Sequence, residues 1–133
     1  MIVNPTMHFN GKCEEAIALY KKAFGCTVLT LLYTNNASDA PTSDGGKRVN
    51  HSEVDFGNIV VRMSDGLSED NNPTLFPLFM ALNFNTTQEV KNAAAVIEAA
   101  GGVVIEPFAS YPFSACMGSI IDPYGFRWRI MVE

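Results

Sequence analysis

One pattern occurs twice in this chain of 133 residues. Residues 13–25 read CEEAIALYKKAFG and run into the strand-like stretch 26–33. Residues 89–102 read EVKNAAAVIEAAGG and run into the strand-like stretch 103–108. Each time a short apolar strand comes first, then a helix with apolar residues at helical spacing, a glycine stop and more strand-like sequence. A βαβββ unit made twice accounts for the length and the order of elements. It predicts an α+β chain with a cavity between its halves.

The first copy opens with a strand over residues 5–9, and Asn10 is a candidate helix cap. Cys13, Ile17, Tyr20 and Phe24 then form one apolar stripe, and Gly25 supplies the left-handed stop. Residues 26–33 read as a buried strand, and residues 34–50 as a long polar loop of a kind that is usually functional or disordered. Over residues 51–56 the pattern alternates. Ser52, Val54 and Phe56 share one face, and His51, Glu53 and Asp55 the other. Gly57-Asn58 signals a hairpin and residues 59–63 return.

Residues 64–77 are a polar connection. The chain is read as one domain with module one over about 1–66, a connection over about 67–77 and module two over about 78–133. Residues 78–84 open the second module. Thr86-x-x-Glu89 is a capping box, and Val90, Ala94 and Ile97 form the helix stripe. Gly101-Gly102 ends that helix, and strands are predicted over 103–108, 113–121 and 127–132. Asp122-Pro-Tyr-Gly125 is the tight turn before the last of them.

An apolar content of 47% with a charged content of 17% marks a globular chain rather than a disordered one. The net charge of −5 and the lack of a basic stripe argue against a nucleic-acid partner. The start, MIVNPTMHFNG, has neither a basic nor an apolar leader segment, and no apolar run approaches a membrane span. Cys13, Cys26 and Cys116 are odd in number and lack CxxC spacing, which fits reduced thiols and a cytoplasmic location.

Three phrases carry a resemblance. They are Phe9-x-Gly-x-Cys-x-Glu-Ala-Ile-x-x-Tyr20, Met63-Ser-Asp65 and Asp122-Pro-Tyr-Gly-Phe-Arg-Trp128. With them the chain resembles the vicinal-oxygen-chelate superfamily of glyoxalase I, extradiol dioxygenases and the bleomycin- and fosfomycin-resistance proteins. Within it the chain looks like the PhnB-like branch, often labelled 3-demethylubiquinone methyltransferase-like. The resemblance implies two βαβββ modules in a curved mixed sheet around a cavity, with outer helices. It also implies a homodimer.

Metal-using relatives hold a divalent ion with four side chains, on the first and last strands of each module. Counting along the matching phrases puts those positions at or near Pro5, Val61, Phe79 and Arg129. None of these four side chains ligates such a cation. The resemblance therefore implies a relative without the inherited metal and with no cofactor. A relocated metal site at His51 and Glu53, with Asp55 on the same face and His8 as a further contributor, stands as the alternative. The plainer reading of that face is a solvated polar edge.

Arg129 is the sharpest departure. A guanidinium at a former ligand position would hold a carboxylate, phosphate or phosphonate through a forked hydrogen bond. It would equally serve an ion pair with Glu53, Asp55 or Glu106. Trp128 and Ile130 are expected on the core side, and Cys116 as a structural thiol. Tyr111 and Phe113 are pocket-wall candidates or ordinary core. Gly101-Gly102 follows a helix, the wrong order for a methyl-donor cofactor turn. The expected function is small-molecule binding in the cavity, with Val61, Met63, Phe79, Tyr111 and Phe113 as lining and Arg129 as the anion clamp. His51 is the candidate general base if the protein is catalytic. A metal-dependent lyase, isomerase or dioxygenase is the alternative.

Overall fold

The computed structural model describes residues 1–2, 4–33, 48–65 and 79–133. The chain forms two compact units, Met1–Pro73 and Thr74–Glu133. Most of the loop read over 34–50 and most of the connection over 64–77 lie outside the described residues, although Val49 and Asn50 already belong to a strand.

Unit 1 runs β1 (Thr6–His8), α1 (Cys13–Phe24), β2 (Thr27–Tyr33), β3 (Val49–Asp55) and β4 (Val60–Ser64). Its sheet has the order β1-β4-β3-β2, with β1 parallel to β4 and the other pairs antiparallel. Unit 2 runs β5 (Met80–Phe84), α2 (Thr87–Ala99), β6 (Val103–Tyr111), β7 (Ser114–Ile121) and β8 (Arg127–Val132). Its order is β5-β8-β7-β6, again with one parallel pair, β5 with β8. The duplicated sequence is therefore a duplicated topology.

In unit 1 the register places Met7 beside Met63, Met63 beside Ser52 and Val61 beside Val54. All five are at most 3% exposed. The Cys13 thiol is hydrogen-bonded to the Ser52 side chain, so this is the face under α1. Cys13, Ala16, Ile17 and Tyr20 close on it from the helix. At roughly 1.5–3 kcal/mol for each large apolar side chain removed from water, this face holds the unit together. The opposite face carries Thr6, His8, Arg62, Glu53 and His51, none of them buried.

In unit 2 the corresponding face holds Trp128, Ile130 and Ile120, each at 0% exposure, and α2 packs on β7 and β8. Val90, Ala93, Ala94 and Ile97 are the buried helix residues. The expected core positions of Trp128, Ile130 and Cys116 hold, Cys116 being 2% exposed.

The helix ends differ from expectation at one point. Gly25 has the left-handed φ of 71° that stops α1, and its N–H reaches the Lys21 carbonyl at 3.0 Å. Thr86 and Glu89 form the full capping box of α2. Asn10, however, does not cap α1. It sits at φ 50°, and its Oδ1 lies 2.6 Å from His8 Nε2. Lys12 precedes the helix with no side-chain cap of its own. Asp65, at 0% exposure just after β4, takes over: its Oδ1 accepts from the N–H groups of Gly11 (2.7 Å) and Cys13 (2.9 Å). Its Oδ2 accepts from Val49 N–H at 2.8 Å. One carboxylate thus ties the start of α1 to the start of β3. Among the described residues no helix is long and apolar enough to cross a membrane.

Candidate functional site

Strand β8 alternates. Trp128 and Ile130 point under α2, so Arg127, Arg129 and Met131 fall on the opposite face. Register then aligns one row across the sheet of unit 2, with Glu106, Ser119, Arg129 and Ala81 contributed by β6, β7, β8 and β5. Arg129 Nη2 donates to Glu106 Oε1 at 3.1 Å, and Ser119 Oγ donates to the same oxygen at 3.0 Å. The Arg129 guanidinium lies 5.0 Å from the centre of the Phe79 ring and that of Arg127 lies 5.8 Å from it. Two cations therefore lie against one aromatic ring, whose π-electrons attract a cation electrostatically.

Among the described residues Glu106 pairs with Arg129, and Arg127 adds a second guanidinium beside Phe79. The Arg129–Glu106 pair is partly exposed, with side chains 38% and 41% accessible. Such a pair contributes about 1 kcal/mol at most. The Arg129 Nε–H is buried and has no acceptor among the described residues. A buried donor without an acceptor costs roughly 1–3 kcal/mol, and an acceptor from outside the chain removes that cost. Chemically, the row can receive an oxyanion beside an aromatic ring, with Glu106 available to accept from a ligand hydroxyl or ammonium group.

The predicted lining residues separate into three groups. Arg129 and Phe79 come together. Val61 and Met63 do not join them: both are at 0% exposure beneath α1 in unit 1 and cannot line an open site. A single step along a strand exchanges its faces, and both of these side chains fall on the face under the helix. Tyr111 and Phe113 stack on each other with ring centres 5.9 Å apart at the β6–β7 hairpin, and Phe113 is 65% exposed. The hairpin lies five residues along the ladder from Glu106. His51 and Glu53 form a long contact in unit 1, Nε2 to Oε1 at 3.4 Å. Sequence reasoning missed Ser119 and Arg127. The odd-numbered run 127, 129 and 131 was the available signal for Arg127, whereas Ser119 is found through register alone.

The registers show which residues meet at the strands where the metal-using relatives carry their ligands. Thr6, not Pro5, stands beside Arg62 on the first and fourth strands of unit 1, and Ala81 stands beside Arg129 in unit 2. Arginine is a permanent cation and offers no lone pair. Among the described residues no group of three His, Cys, Asp or Glu is placed to hold a metal ion. The thiols of Cys13 and Cys26 are equally unsuited to reaction. Burial, and then the charge of Asp65, hold Cys13 far above its ordinary range, and burial pushes Cys26 up to about 11.

Comparison with known proteins gives one decisive result. A PhnB protein from Bacillus cereus superposes over 100% of both chains with a TM-score of 0.84 at 21% identity. The chain has the vicinal-oxygen-chelate fold. Protein PA1353 from Pseudomonas aeruginosa is similar over 100% of this chain and 98% of its own, with a TM-score of 0.82 at 23% identity. The fosfomycin resistance protein FosX from Mesorhizobium loti shares the fold at a TM-score of 0.67 and 9% identity, covering 100% of this chain and 91% of its own. No family model and no curated protein sequence matches the chain. At these identities the likeness establishes architecture, and chemistry has to be argued from the side chains.

Proposed function

We propose that this chain is a small-molecule-binding protein of the glyoxalase and bleomycin-resistance type. In this reading it works as a cytoplasmic homodimer without the inherited metal site. Its ligand carries an anionic group held by Arg129 and Arg127 against Phe79. The observation that carries the reading is the Arg129 Nε–H, buried and without an acceptor among the described residues, beside Phe79 and a second guanidinium, that of Arg127. The PhnB-like and fosfomycin-resistance neighbours support a small ligand rather than a nucleic acid, as does the net charge of −5.

The test is a thermal-shift series with phosphate, methylphosphonate, acetate and benzoate. An anion at one hundred times its Kd stabilises by about 2.7 kcal/mol. Arg129→Met is expected to abolish that stabilisation while the variant stays folded. Unchanged stabilisation in Arg129→Met retires the clamp. The second reading, a metal-dependent lyase, isomerase or dioxygenase, draws on the His51–Glu53 pair at 3.4 Å. Stoichiometric metal in protein purified without chelators, lost in His51→Ala, would replace the first reading with the second.

A further inference from the structure

Unit 1 carries a groove on its surface. It runs between α1 and β2, the edge strand of its sheet, is open to solvent and has a volume of about 530 Å³. That volume falls within the range of roughly 300–1,000 Å³ typical of small-ligand sites. Its floor is apolar, made by Ile17 and Ala18 of the helix and Val28 and Leu31 of the strand. One end is basic, where Lys21 and Lys22 close the last turn of α1. Neither lysine has a carboxylate within ion-pair distance among the described residues. The other end holds Glu14 and Tyr33, whose side chains are hydrogen-bonded to each other.

Unit 2 supplies an internal control. Phe108 of β6 lies against Gly118 of β7, so close that a Cβ at Gly118 would meet the ring at 2.6 Å. Gly118 pairs with Ile130 as Ser52 pairs with Met63, and the strand residue beside Ser52 is Leu31. An aromatic ring in unit 2 therefore stands at the ladder position that Leu31 occupies in unit 1. The last turn of α2 contains no basic residue, whereas that of α1 has Lys21 and Lys22.

We propose that this groove binds a single-chain amphiphile with an anionic head, of the medium-chain carboxylate class. The head sits at Lys21 and Lys22, and the alkyl chain lies along Ile17, Ala18, Val28 and Leu31. Glu14 excludes the head from the far end by charge repulsion, which fixes the direction of binding. From Glu14 to Lys22 the helix rises roughly 12 Å, the reach of a medium-length alkyl chain. The chain gains from leaving water, and the head gains two cations that lack a carboxylate partner. This site is independent of Arg129, which belongs to the other unit.

Decanoate titrated into the isotope-labelled protein below its micelle concentration tests the proposal by amide shifts. Saturable shifts confined to α1 and β2 are expected. The double variant Lys21→Gln/Lys22→Gln should weaken binding at least tenfold. Ala18→Trp, at an exposed helix position, should fill the groove and abolish binding with the rest of the spectrum unchanged. Arg129→Met should leave decanoate binding intact, which separates this site from the anion clamp. Shifts centred elsewhere, absence of saturation, or decyltrimethylammonium binding as tightly as decanoate would each overturn it.

Discussion

Among the described residues, Asp65 of unit 1 and Asp122 of unit 2 are buried carboxylates that each accept from N–H groups, and the two are used differently. Asp65 of unit 1 bonds Gly11, Cys13 and Val49, residues 16 to 54 positions away in sequence. Asp122 of unit 2 bonds Tyr124, Phe126 and the indole Nε1 of Trp128, none further than 6 positions away. Unit 2 can afford a local use because Thr86 and Glu89 already cap α2 from within the helix. Unit 1 has no such box, so the strand end supplies its cap. Identical topologies thus rest on one long-range and one short-range bond set. Long-range sets form after the chain has closed a large loop, and local ones do not wait for that closure.

The largest break in this comparison should come from Asp65→Ala. It leaves three donors at a helix start and a strand start without acceptors, and a loss of about 4 kcal/mol or more is expected in urea unfolding. Asp65→Asn, which keeps the shape, should lose less. Gly118→Ala comes next. The methyl group would drive into the Phe108 ring, at an expected cost of about 2 kcal/mol, and Phe108→Leu in the same chain should recover part of it. Thr86→Ala removes a local cap and should cost about 1 kcal/mol. If Thr86→Ala proves as damaging as Asp65→Ala, the contrast between the units fails.

A further expected effect, seen only at high pH, is a pH dependence confined to unit 1. Burial raises the Cys26 thiol from 9.0 to about 11 and raises Cys13 as well. A raised folded-state pKa contributes stability that is fully present below the unfolded value and lost as pH climbs through the folded one. Stability should therefore hold up to about pH 9 and decline towards pH 11. Amide exchange at pH 8 and pH 10.5 should show the loss first in α1 and β2. A uniform loss across both units would contradict it.

Much of this was legible from the residues. The capping box, the Gly25 stop, the Asp122 turn and the alternation over residues 51–56 each involve residues close in sequence, where spacing alone states the geometry. The phrases Met63-Ser-Asp65 and Asp122-Pro-Tyr-Gly-Phe-Arg-Trp128 stood out, yet their shared content, a buried acceptor for three N–H groups, was not visible in either. Asn10 was the plausible cap by position and lost that role to a residue 55 places later. Val61 and Met63 are cavity candidates by sequence, and the strand register places them under a helix at 0% exposure.

The sequence by itself determined the repeat, the order of elements, the helix stripes and the two arginines on one face of β8. These follow from periods of 2 and 3.6 and from caps a few residues wide. Tertiary structure decided which carboxylate caps α1, which acceptor Arg129 meets and the groove between α1 and β2. Those outcomes depend on strand register and on the volume left between a helix and its sheet. Register inverts at every single step, and that volume is set by pairs such as Phe108 with Gly118 that meet only after folding.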